Sequence, residues 1–202
     1  MPSAEFFTGL GLFVRPGFLG EEDCDWLRSE ALAAQRVPGV VGVEGDAFEI
    51  DARSRSTDIA KVSSEARSLV SDGLDALTPE IEEHFSLKIE GRQPVQFLVY
   101  GEGDFFAAHR DRDDSDEAAD FARARRVSIV TFLNGQAEEP APEAFGGGEL
   151  TFYGLLGEEP GSEVGLPIQA ETGLLVAFDS ELPHQVTPIT HGQRYTVVTW
   201  LV

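Results

Sequence analysis

Apolar and polar positions along the chain change their period near Gln93. Upstream, the apolar residues recur at helical spacing. After Gly20, the stretch EEDCDWLRSEALAAQR sets Cys24, Leu27, Ala31 and Ala34 on one face, with acids in the first turn. A second helix is expected from Ser64 to Leu77, carried by Val70, Leu74 and Leu77. Thr78-Pro79 is expected to restart a short helix, because proline suits a first helical position; Ile81 and Phe85 extend the same stripe. Between these helices, residues 36–61 are mixed: GVVGVEGDAFEI reads as a strand pair and ARSRSTD as a polar connection.

Downstream the segments shorten. PVQFLVY, DFFAAH, RVSIVTFLN, GGELTFYG, GLLVAFD, HQVTPI and QRYTVVTWLV are rich in β-branched and aromatic residues and are separated by Gly, Pro, Asn or Asp. So many short strands in sequence indicate an antiparallel sandwich or barrel. In QRYTVVTW, Arg194, Thr196, Val198 and Trp200 fall on one face. The Pro- and acid-rich loop 134–147 is expected to be mobile and to cover an opening. The fold class is α+β, mainly β, with N-terminal helices packed on a jelly-roll-like sandwich. Such a sandwich can hold a site in the open mouth between its sheets.

The 202 residues suit one domain, with 1–92 as a helical and lid-forming part and 93–202 as the core. Charge narrows the partners: 36 acidic residues against 15 basic ones give −21. That field disfavours nucleic acid and anionic membranes. The single cysteine, Cys24, leaves no disulfide within the chain and fits a reducing compartment. The N-terminus lacks the pattern of a signal peptide, and no stretch approaches the roughly 20 apolar residues of a membrane span, so a cytoplasmic location is expected. Oligomeric state is not legible.

Candidate chemistry starts at AHRDRDD. His109 and Asp111 stand at i and i+2, so in an extended segment both side chains leave the same face. An imidazole and a carboxylate together supply two ligands for a divalent metal. The motif alone is weak, and a solvated turn explains it as well. The far end adds His184, after a turn and directly before a strand, and then Arg194 at a core-facing position. An inward arginine is expensive unless it meets an anion, and a bound carboxylate is one explanation; a snorkelling side chain at a strand end is another. Two histidines and one carboxylate with open positions form the facial triad of non-haem Fe(II) oxygenases.

Taken in order, YGEGDFFAAHRD, RRVSIVTFLN, GGGELTFYG and GLLVAFDSELPHQVTPITHGQRYTVVTW resemble the Fe(II)/2-oxoglutarate-dependent oxygenases, and within them the prolyl 4-hydroxylase-like group. The resemblance covers about residues 96–202, and FLGEEDCDWL is similar to that group's entry helix. It implies a double-stranded β-helix (jelly roll), with Fe(II), the cosubstrate 2-oxoglutarate, O2 and optional ascorbate. It implies His109, Asp111 and His184 as iron ligands and Arg194 as partner of the distal carboxylate of 2-oxoglutarate, where the collagen-type branch uses lysine. Tyr100 matches a tyrosine lining the cosubstrate pocket, and Thr196 a hydroxyl donor to the same carboxylate. Trp200 matches a tryptophan near the site, and Gly146 to Gly148 the glycines that open a strand. No catalytic residue beyond the metal ligands is implied. The activity implied is a dioxygenase reaction hydroxylating a C–H bond of a prolyl or other residue in a peptide or protein. A hydroxylase of a free amino acid or other small metabolite, and a non-catalytic binding or sensing module, remain alternatives.

Other positions read more simply. His191, before Gly192, is expected exposed in a hairpin turn; His84 suits a helix end. The acids from Asp113 to Asp120 read as a solvated loop. Arg53 and Arg55 resemble the position of a substrate-covering segment.

Overall fold

The computed structural model describes residues 4–39, 41–42, 48–49, 54–115, 118–155 and 164–202. Helix α1 is Ala4–Gly9, α2 Glu21–Ala33, α3 Ser64–Phe85 and α4 Asp120–Arg123. The strands are β1 (Phe13–Arg15), β2 (Arg36–Pro38), β3 (Val41–Gly42), β4 (Phe48–Glu49), β5 (Arg55–Ser56), β6 (Asp58–Ala60), β7 (Gln96–Tyr100) and β8 (Phe105–His109). They continue as β9 (Val127–Phe132), β10 (Gly146–Gly147), β11 (Leu150–Phe152), β12 (Leu166–Ile168), β13 (Leu175–Asp179), β14 (His184–Val186), β15 (Ile189–His191) and β16 (Arg194–Leu201).

Among the described residues the larger sheet runs β1-β13-β9-β16-β7-β6-β2, and the smaller runs β12-β11-β14-β8-β5. All their pairings are antiparallel. Alternation along the large sheet sorts its residues into two cores. Phe97, Val99, Val127, Ile129, Val197 and Leu201 pack outward against Cys24, Leu27 and Ala31 of α2 and Val70, Leu74, Leu77 and Ile81 of α3. Leu98, Tyr100, Val130, Phe132, Val176 and Phe178 face the smaller sheet's Leu150, Phe152 and Val186. The helices therefore cover one face of the large sheet, and the jelly-roll interior lies on the other. Every downstream segment expected to be a strand supplies one.

Two expectations for the first third need correction. Ser64 to Phe85 form one helix, with Pro79 inside it. Proline removes one backbone donor, yet the Thr78 hydroxyl donates to the Leu74 carbonyl at 2.9 Å across the same turn. The buried stripe Leu74–Leu77–Ile81 continues past the proline and holds both halves to the sheet. Ser63 caps this helix, accepting from the Ala66 N–H at 3.2 Å. The region is also less purely helical than its spacing suggests. β1 pairs with β13, and β2 and β6 extend the large sheet beyond β7. At three residues each, these strands are too short to show alternation. The strand pair expected in GVVGVEGDAFEI is present as β3 against β4.

Loop 134–147 is not a loose cover. Asn134 Nδ2 donates to the Glu143 and Gln193 carbonyls, and Phe145 is fully buried in the inner core. Arg28 of α2 donates to Glu143 at 2.6 Å and to the Leu133 carbonyl at 2.7 Å. With α2, the loop lines a separate cavity of about 360 Å³.

Cys24 is buried in the helix-facing core, and burial raises its thiol pKa to about 11. It should stay unmodified by a thiol reagent at neutral pH in the native protein and titrate as one equivalent after denaturation. Absorbance of the released chromophore reads this directly.

Candidate functional site

The smaller sheet brings the two candidate histidines together. In the register of β14 on β8, His184 lies opposite His109. The His109 Nδ1 sits 2.8 Å from the Ala107 carbonyl and the His184 Nδ1 2.9 Å from the Leu182 carbonyl. A carbonyl only accepts, so each Nδ1 carries the proton and each Nε2 keeps a free lone pair. Asp111 follows β8, with its backbone N–H bonded to the Ser180 carbonyl at 2.9 Å. Its Oδ1 lies 3.6 Å from His109 Nε2 and its Oδ2 3.5 Å from His184 Nε2. One ligand atom from each of the three residues lies within 4.8 Å of the others, a geometry that could hold a metal ion.

The surroundings favour the protonation states a metal needs. Burial pushes the His184 pKa down to about 4, opposed by the Asp111 charge, so the ring is neutral at ordinary pH. Burial works against ionisation of Asp111, but His184, His109 and the Ser128 hydroxyl together outweigh it and hold its pKa below the usual carboxylate range. Aromatic rings wall the site. Phe106 stacks on His109 at 3.6 Å between centroids, and Phe178 meets His184 edge-on at 4.6 Å.

Arg194 lies deeper, in the jelly-roll interior at only 1% exposure. Its Nη1 donates to Thr196 Oγ1 at 3.3 Å, while Nε and Nη2 are buried with no hydrogen-bond partner among the described residues. The guanidinium sits 5.1 Å from the Tyr100 ring centre and 5.0 Å from that of Phe132. Burial draws its pKa down to about 10, which leaves it cationic. A buried guanidinium with two idle donors is costly, and a bound carboxylate relieves that cost. Gly148 makes room for it: at φ +62, an added Cβ would stand 2.3 Å from Ile189 Cδ1 and 3.1 Å from Arg194 Cδ. Thr196, Val198 and Trp200 share the Arg194 face of β16 and, with Tyr100, line the same cleft as the His–Asp–His cluster.

A scan of family models matches residues 95–202 to the 2OG-Fe(II) oxygenase superfamily. The chain belongs to that superfamily. A PKHD-type hydroxylase of Parvibaculum lavamentivorans is 30% identical over 177 residues, covering 82% of this chain and 71% of that protein. One from Rhizorhabdus wittichii is 26% identical over 188 residues, covering 92% and 75%. Against one from Shewanella sp. ANA-3 the match covers 54% of this chain and 42% of the relative. Among solved structures, a Pseudomonas putida prolyl-4-hydroxylase superposes with a TM-score of 0.67 at 23% identity, covering 98% of this chain and 95% of that one. A Trichoplax adhaerens prolyl hydroxylase, in complex with a hypoxia inducible factor peptide fragment, gives 0.71 at 20%, covering 98% and 86%. Both likenesses concern the fold. The enzyme is therefore a 2-oxoglutarate-dependent dioxygenase with a prolyl 4-hydroxylase-like fold, and its cofactors are Fe(II), 2-oxoglutarate and O2.

The donor set of this oxygenase fits those groups: two imidazoles and a carboxylate suit ferrous iron, and the idle donors of Arg194 suit a dicarboxylate. Several neighbours escaped the sequence reading. Arg125 donates to the Asp111 carbonyl at 3.2 Å, approaches its Oδ1 at 4.0 Å and lies 3.6 Å over the Trp200 ring. Arg55 belongs to β5, paired with β8, and its guanidinium lies 4.8 Å over Phe106. Arg55, read with Arg53 as the position of a substrate-covering segment, is thus a strand residue at the rim of the cleft; Arg53 lies outside the described residues. His191 is half-buried, not exposed: its ring occupies the space beside Gly146, where a Cβ would come within 2.0 Å of it. Ser128, a polar residue at an inward position of the apolar strand VSIVTF, is the kind of signal that marks such neighbours in a sequence.

Proposed function

We propose that this enzyme hydroxylates a prolyl or other residue within a peptide or protein, at an iron held by His109, Asp111 and His184, and that residues 1–202 work as one oxygenase domain. The observation that carries the site reading is Arg194, buried with two idle donors in the cleft that also holds the His–Asp–His cluster. The bound iron with 2-oxoglutarate and O2 supplies the oxidation of a C–H bond to an alcohol, coupled to decarboxylation of 2-oxoglutarate to succinate and CO2. The chain does the rest. His109 and His184 present Nε2 because backbone carbonyls hold their Nδ1 protons. Arg194, assisted by the Thr196 hydroxyl and the Tyr100 face, pairs with the distal carboxylate and so fixes which end of the cosubstrate meets the metal. Phe106, Phe152 and Phe178 around the imidazoles keep water out.

The peptide reading draws support from the Trichoplax relative in fold, solved with a peptide fragment, and from β5 and β8, which bring Arg55 and Phe106 to the cleft. Succinate release on adding proline-containing peptides, compared with free proline and other amino acids, tests it. Peptide-dependent succinate with a gain of one oxygen in the peptide mass is the expected result. Turnover with free amino acids alone would overturn the peptide assignment and leave the iron site intact.

A further inference from the structure

β9 ends at Phe132, which stands opposite Thr196 of β16. Leu133 carries the pairing one step further: its N–H reaches the Tyr195 carbonyl at 3.0 Å. Two backbone groups of β16 and its turn still face that edge, the N–H of Tyr195 and the carbonyl of Gln193. They belong to the two peptide units that flank the Arg194 Cα. Left unpaired away from water, each would cost free energy.

The side chain of Asn134 pairs both. Its Oδ1 accepts the Tyr195 N–H at 3.0 Å, and its Nδ2 donates to the Gln193 carbonyl at 2.8 Å. The second Nδ2 proton goes to the Glu143 carbonyl at 2.9 Å. A backbone N–H only donates and a carbonyl only accepts, so these partners fix which end of the amide is oxygen. Asn134 is itself 2% exposed. Its carboxamide continues the pairing where β9 stops, and it clasps the backbone on both sides of Arg194.

Arg194 is the first residue of β16. β7 supports it through Tyr100, but the ladder to β9 starts only at Thr196. Just before it, Gly192 turns the chain at φ +72, pressed so close to the loop that a Cβ would lie 2.4 Å from the Ala144 carbonyl. A small rotation at the Arg194 Cα becomes a larger displacement at the far end of so long a side chain. The clasp therefore acts where the aim of the guanidinium is set.

We propose that Asn134 is a positioning residue for the cosubstrate anchor: its carboxamide fixes the Arg194 backbone, and with it the direction in which the guanidinium meets the distal carboxylate. Asn134 lines the separate cavity beside α2 rather than the iron cleft, so it acts through Arg194 and not on the cosubstrate. The rival role is loop closure alone, through Glu143.

This inference rests on Arg194 being the anchor. Anaerobic titration of the Fe(II) enzyme with 2-oxoglutarate and, separately, with pyruvate, a 2-oxo acid without a distal carboxylate, tests both; the visible charge-transfer band reads each affinity. Wild type should prefer 2-oxoglutarate by about 100-fold or more, the effect of one buried charge pair. Asn134→Ala should bind 2-oxoglutarate about 10- to 100-fold more weakly, the effect of a misplaced contact, and bind pyruvate as wild type does. A variant that loses both acids equally, or neither, overturns the proposal and leaves Arg194 as the anchor. If Asn134→Ala does not fold, Asn134→Asp decides in the same way, since it keeps an acceptor for the Tyr195 N–H and, ionised, lacks both donors. A wild type without preference for 2-oxoglutarate overturns the anchor reading, and this inference with it. A wild type without any band overturns the iron site itself.

Discussion

Asp111→Ala will not turn over 2-oxoglutarate, with or without substrate, and neither will His109→Ala. In the proposed iron site each removes a direct ligand, so the loss should exceed the roughly 10- to 100-fold expected for outer partners. The reason lies in the donor set. His184 is held neutral by burial, and Asp111 is the one carboxylate among the three clustered residues. Without it, nothing in the cluster offsets a divalent charge, and the metal is held by two imidazoles in a largely apolar wall. The fold should survive the change. Asp111 follows β8 rather than sitting within it, so no ladder pairing depends on its side chain. Circular dichroism and thermal melting of the metal-free variant should match wild type, while succinate production falls to the uncatalysed background. Full activity in Asp111→Ala would end the site assignment.

Arg194→Met should raise the KM for 2-oxoglutarate by about 100- to 4,000-fold, with a smaller fall in kcat at saturation. Breaking a buried ion pair by removing one partner costs about 3–5 kcal/mol, and each 1.4 kcal/mol is about tenfold. Methionine fills much of the same volume, so the variant removes the charge without opening a large cavity. Its metal-free melting temperature should not fall, because wild type carries two buried donors there with no partner among the described residues. Arg194→Lys should recover part of the affinity, since a point charge can meet the carboxylate but cannot pair with it through two parallel bonds. Steady-state kinetics with varied 2-oxoglutarate measure all of this. An unchanged KM in Arg194→Met would show that the cosubstrate carboxylate is anchored elsewhere.

The sequence made the strand core and the facing of β16 legible because period-two alternation survives in strands of five to eight residues, such as β7, β13 and β16. It concealed β1, β2, β5 and β6, which at two or three residues are too short to show a period. The grouping of His109, Asp111, His184 and Arg194 in one cleft was foreseeable because each residue type is unusual in its local pattern: two imidazoles at strand ends, and a cation at an inward position. Arg125 and Ser180 were not. Arg125 stands in a run of basic residues, RARR, and only the fold of β9 against β16 lays it on Trp200. Ser180 looks like any turn serine until β13 delivers it to the Asp111 backbone. Loop 134–147 misled for a related reason. Its Pro and Glu content suggests a free surface loop, but Glu143 meets Arg28 on a helix more than a hundred residues earlier in the chain.

The most direct measurement is the anaerobic absorption spectrum of the enzyme with Fe(II) and 2-oxoglutarate. Chelation of the keto acid to ferrous iron should give a visible metal-to-ligand charge-transfer band. It should be absent in Asp111→Ala and should require far more 2-oxoglutarate in Arg194→Met. A wild-type enzyme that shows no band at saturating Fe(II) and 2-oxoglutarate, or a band untouched by both substitutions, would contradict an iron site built on His109, Asp111 and His184 with Arg194 behind it.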